Sequence, residues 1–86
     1  MALEVSSTSD TMRQACADVF ESWIAAGLPR FTDAGLDDAT SRELVIGMIC
    51  ALEGAFVLAR ATQSIEALKV AGELCAQATQ RALDAR

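Results

Sequence analysis

The apolar positions of this chain fall into three stretches at three-to-four spacing, separated by two polar interruptions. In the first stretch Met12, Cys16, Val19, Phe20, Trp23, Ile24 and Gly27 form one stripe, while Arg13, Gln14, Asp18 and Glu21 fall largely off it. The pattern predicts an amphipathic helix. The run Ser7-Thr8-Ser9-Asp10 ahead of it offers several N-caps, and Ser7 with Asp10 has the spacing of an acidic capping box. Gly27 and Pro29 then disturb the stripe, because a proline inside a helix loses one hydrogen bond and crowds the preceding turn, at a cost of about 3 kcal/mol. Two readings fit. The helix ends near Gly27 and a short turn runs from Pro29 to Ala34, or one helix runs to Ala34 with a kink at Pro29. In both, Gly35 suits a C-cap and Leu36 can fold back as its apolar contact.

After the polar connection Asp37–Thr40, Thr40 and Glu43 have capping-box spacing, which starts a second helix at about Ser41 and carries it to about Thr62. Between Leu44 and Ala59 there are sixteen residues and one charge, Glu53. A helix apolar nearly all round is covered on several sides. The apolar stretch is shorter than the roughly 20 residues that span a bilayer, and it carries Glu53 in its middle, so no membrane role is expected. Within it Gly47, Ala51, Ala55 and Ala59 recur every four residues, a row of small side chains that lets another helix axis come close. Gln63 and Ser64 form the next break, with Ser64 as N-cap. A third helix follows from about Ile65 to about Leu83, its stripe being Leu68, Ala71, Leu74 or Cys75, Ala78 and Ala82. Gly72 costs this helix about 1 kcal/mol relative to alanine, a further pointer to close packing. No run alternates with period two. The fold class is therefore all-α, a three-helix unit whose first helix is kinked or broken at Pro29.

The chain has 86 residues, 52% apolar and 22% charged. A single domain of this size buries only roughly 60–65% of its unfolded surface, so so much apolar content calls for a partner to cover the excess. The net charge is −5 and the seven Lys and Arg do not cluster, which argues against binding of nucleic acid or an anionic membrane by this chain. There is no histidine, which removes His-dependent triads and the usual zinc sites; no metal, cofactor or catalytic residue is expected. Cys16, Cys50 and Cys75 are far apart and odd in number, as in a reducing cytoplasm, where they are expected to behave as small buried apolar residues.

One acid stands out. Glu53 shares a helix azimuth with Arg42, Ile46, Val57 and Arg60. It either sits at a bundle edge, reaching Arg60 or an arginine of a second chain, or lines a cavity between the first two helices. Phe20, Trp23 and Phe56 are core residues by spacing, and pocket walls on the second reading.

The segment Ala51-Leu52-Glu53-Gly54-Ala55-Phe56-Val57-Leu58-Ala59-Arg60-Ala61 resembles the corresponding helix in C-terminal domains of TetR-family regulators, notably the LmrA/YxaF-like branch. So do Ala2–Asp10 and Phe20-Glu21-Ser22-Trp23 before it and Ser64-Ile65-Glu66-Ala67-Leu68 after it. The resemblance implies a single C-terminal helical domain over residues 1–86, truncated relative to full-length members, which carry a helix-turn-helix domain ahead of it. It further implies a homodimer in which the last two helices of each copy form a four-helix bundle. Gly47, Ala51, Ala55, Ala59, Leu68, Ala71, Cys75, Ala78 and Ala82 would then be interface, and Phe20, Trp23, Ile24 and Glu53 would line a pocket for a small hydrophobic effector. The alternative is a generic helical protein–protein interaction module without a ligand. It differs in requiring a partner other than a second copy of this chain.

Overall fold

The computed structural model describes residues 10–86, so the Ser7 capping box lies outside the described residues. It contains three helices, α1 (Asp10–Thr32), α2 (Asp38–Thr62) and α3 (Glu66–Ala85), and among the described residues no strand.

Helix α1 is neither broken at Gly27 nor extended to Ala34. It runs on through Pro29 and stops at Thr32. Proline is tolerated because it stands in the last turn, where its missing N–H deprives a single carbonyl of a partner, while its own carbonyl accepts from the Asp33 amide at 2.9 Å. The end is closed as its sequence predicts. Gly35 takes the left-handed conformation at φ 102°, and the Leu36 N–H donates to the Phe31 carbonyl at 3.1 Å. That fold-back buries the Leu36 side chain.

Helix α2 begins three residues earlier than the Thr40–Glu43 spacing indicated. Asp37, in extended backbone, is the N-cap, and its Oδ1 accepts from the Thr40 N–H at 3.2 Å. Anchoring Leu36 leaves Asp37 as the next residue free to cap, so Thr40 falls inside the first turn. At the other end Gln63 is left-handed (φ 53°), and the Ser64 amide reaches back to the Ala59 carbonyl. Ile65, and not Ser64, is the N-cap residue of α3 and offers no side-chain bond; Ser64 stands one residue ahead, and its Oγ accepts from the Glu66 N–H at 3.1 Å. Helix α3 holds to Ala85 rather than ending at Leu83.

Helix α2 is the middle element. It packs against α1 on one side and α3 on the other, and α1 and α3 do not pack along each other. The result is a slab of 45 × 32 × 16 Å. Its thinnest dimension exceeds only modestly the roughly 10–12 Å width of one helix, so this is close to a single layer. One small core forms where α1 turns into α2, from Ile24, Phe31, Leu36 and Val45, with Leu44, Met48 and Leu83 packed against it. Gly27 makes the α1–α2 approach possible there, since a Cβ at this position would stand 3.1 Å and 3.2 Å from the two Val45 methyls. Ala55 and Ala71, placed symmetrically about the Gln63 turn, are the buried residues of the α2–α3 hairpin.

Much of the apolar content stays on the surface. Phe56 is 56% exposed, Val57 67% and Leu74 59%. At 25 residues α2 is long and apolar enough to cross a bilayer, which corrects the length argument drawn from its sixteen-residue apolar stretch. Composition still tells against a span, because Arg42, Glu43, Glu53 and Arg60 all lie on this helix and charges in hydrocarbon are costly.

Among the described residues Ser41 is the one fully buried polar side chain, and its hydroxyl has no hydrogen-bond partner there. Ser41→Ala removes that unsatisfied group and installs the better helix former. It is expected to raise the unfolding free energy by about 1 kcal/mol or more in urea denaturation. A loss of stability would mean the hydroxyl is bonded after all.

Candidate ligand groove and interaction face

Two concave surfaces flank α2. The first lies between α1 and α2, a groove of about 280 Å³ walled by Phe20 and Ile24 from α1 and by Ile46, Ile49, Cys50 and Glu53 from α2. The α2 residues come together because positions 46, 49, 50 and 53 lie on one helical face. The lining is almost wholly apolar, so Glu53 contributes its methylenes and keeps its carboxylate toward water. No ion pair joins it to Arg60; the ion pairs among the described residues are Arg13–Asp10 and Arg42–Glu21. Phe20, Ile24 and Glu53 are thus brought together. Trp23, expected as a wall, does not line the groove: it is 48% exposed, and its ring meets that of Phe20 near a right angle at a centroid distance of 5.2 Å. Ile46 was placed on the Glu53 face by its spacing, whereas Ile49 and Cys50, each one turn from Glu53, were not singled out as walls.

The Arg42–Glu21 pair was also unanticipated. Arg42 donates from both terminal nitrogens, Nη1 to Oε1 at 3.1 Å and Nη2 to Oε2 at 2.9 Å, which ties α2 to α1 across the slab. The hydrogen bond from Arg42 holds the Glu21 carboxyl below its usual range, and the same bond raises the Arg42 guanidinium.

The second surface lies between α2 and α3, a slightly smaller groove of about 240 Å³ whose walls include Gly47, Ala51, Leu74, Cys75 and Ala78. Nothing stands within 4 Å of where a Gly47 Cβ would be, so the backbone here is open to a further element. The residues expected at an interface divide. Gly47, Ala51, Cys75 and Ala78 line this outward groove. Ala55 and Ala71 are buried inside the chain and offer almost no surface to a second copy. Ala59 and Leu68 are half-buried, and Ala82 packs against the core. Leu74, which the sequence left as an alternative to Cys75, is the large exposed side chain of this face.

The cysteines differ from their expected burial. Cys16 and Cys50 are exposed, Cys75 is half-buried, and all three are free. Among the described residues no three His, Cys, Asp or Glu side chains gather as metal ligands would.

Comparison with known families gives one match. The model of the LmrA/YxaF-like transcriptional regulator C-terminal domain, a TetR family, covers residues 1–74. No curated protein and no solved structure matches the chain significantly. The match takes in α1, α2 and the first half of α3, and with them the whole α1–α2 groove and the α2 wall of the second groove, while Cys75 and Ala78 lie beyond it; the chain belongs to the LmrA/YxaF-like family of TetR regulator C-terminal domains.

Proposed function

We propose that this chain is the dimerisation and small-molecule-sensing half of a TetR-like cytoplasmic transcription regulator, with DNA binding supplied outside it. The observation that carries the reading is the division of α2 between two surfaces: it walls the apolar α1–α2 groove on one side and the small-residue α2–α3 face on another. Stacking the α2–α3 hairpins of two copies makes a four-helix bundle and thickens the slab into a covered core. Gly47 and Ala51 let the second copy approach closely, and Leu74 supplies apolar area at the contact. The α1–α2 groove suits a small apolar effector, since pockets of a few hundred Å³ with apolar walls hold such ligands. A ligand that shifts α2 against α1 also shifts the element on which the dimer is built, which couples the two sites through one rigid helix. The charge of −5 keeps this half away from the phosphates that the DNA-binding part must meet.

The solution mass tests the reading. By light scattering during size exclusion the chain is expected at twice its 9.1 kDa mass at micromolar concentration. Gly47→Leu, whose Cβ has nothing within 4 Å in the single chain, is expected to shift it toward one copy without loss of helix content. A monomeric wild type that stays folded would overturn the dimer and favour the interaction module that awaits a different partner.

A further inference from the structure

We propose that the Glu21–Arg42 ion pair is a latch that holds α1 against α2 and sets the width of the groove between them, so that the affinity for an uncharged ligand becomes sensitive to salt. The inference rests on the effector-groove reading and adds to it the residues that position the site.

Three observations converge. The pair is bidentate, at 3.1 Å and 2.9 Å, and it is the one ion pair among the described residues that joins two helices, the other being local to α1. Its place is at the edge of the groove: Glu21 follows the wall residue Phe20 and precedes Ile24 by one turn less a residue, and Arg42 precedes the wall residue Ile46 by one turn. Finally, α1 is lightly held. Its buried side chains are Ile24 and Phe31, both in its second half, and no residue of the stretch 10–23 is buried. Among the described residues α1 packs along α2 and not along α3, so the position of its first half depends on α2.

An exposed ion pair adds little to global stability. Here it acts on the position of a helix that pivots about the Gly27–Val45 contact, where a weak constraint suffices. Both side chains are about half exposed, at 46% and 59%, so added salt screens them. With the latch open α1 swings outward and the groove must be reassembled before it binds, which lowers affinity without removing any wall residue. The sign is diagnostic. Apolar binding by itself is unchanged or strengthened by salt, whereas a latch makes salt weaken it.

The test uses N-phenyl-1-naphthylamine, an uncharged fluorescent probe, titrated into the full chain at 50 mM and 1 M NaCl, together with Glu21→Gln, Arg42→Gln and the double variant. Hydrogen exchange of the α1 amides is followed in parallel against those of α3. The wild type is expected to lose about two- to fivefold in probe affinity at high salt, the range a surface pair can supply. Each single variant should show that loss already at low salt, the double variant should be no worse, and all three should exchange faster in α1 but not in α3. Salt-independent wild-type binding, or single-variant losses that add in the double variant, would overturn the latch. If the probe does not bind the wild type at all, the effector groove falls. The latch is then judged on exchange alone: faster α1 exchange in the variants upholds it, and unchanged exchange overturns it.

Discussion

Phe31→Ala is expected to lower the unfolding free energy by about 3–5 kcal/mol, enough to leave the chain largely unfolded, as read by urea denaturation followed by helix content. Phe31 belongs to a core that is small even for this chain length, four buried side chains at the α1–α2 turn. It is the largest of them, and it sits where the chain reverses. The Leu36 N–H donates to the Phe31 carbonyl, and the Leu36 side chain folds back into the same cluster. Removing the ring therefore leaves a cavity under the turn that sets α1 on α2. The outer α2–α3 face offers the contrast. Leu74 is 59% exposed, and in the single chain its truncation removes little packing. A loss below about 1 kcal/mol for Phe31→Ala would mean that stability resides elsewhere, in contacts between chains.

The two breaks and the closure after α1 were legible because their chemistry is local, although the last residue of the helix was not. Gly35 with Leu36, and Gln63 with Ser64, terminate or cap helices through residues within a few positions of one another. The start of α2 was misread because it is not set locally. Asp37 and Thr40 are both competent caps, and the choice between them depends on the anchoring of Leu36, which is a packing event. Pro29 was weighed as a break because its cost is set by position, and position in the last turn was visible only once the helix end was fixed.

The candidate site was half legible. A row of small residues at four-residue spacing announces that a helix will come close, but it does not say whether that helix belongs to the same chain. Ala55 turns inward to the α2–α3 hairpin while Gly47 and Ala51 open outward, a difference set by a small rotation of α2. Glu53 singled itself out by charge, and its face, with Ile46, led to the groove; Ile49 and Cys50 were masked by being apolar in an apolar helix. The Glu21–Arg42 pair, 21 residues apart, depends on the antiparallel register of α1 and α2, which no local pattern encodes.

The midpoint of thermal unfolding is expected to rise with chain concentration, by about 3–5 °C for each tenfold increase, if folding is completed by dimerisation. The physical reason is the slab. Among the described residues, seven buried side chains in a layer 16 Å thick leave Phe56, Val57, Leu58 and Leu74 with much of their surface in water. A second copy that covers the α2–α3 face contributes stability that mass action makes concentration-dependent, whereas a self-sufficient monomer melts at one temperature. Leu74→Glu separates the two cases. In the single chain the carboxylate points to solvent and costs little. At a covered face it places an unpaired charge against apolar groups of the partner, which destabilises strongly. The variant is expected to melt lower than the wild type, with a midpoint independent of concentration. A wild-type midpoint that does not move between about 5 and 500 μM would detach stability from self-association altogether. The small core at the α1–α2 turn would then have to hold the fold alone.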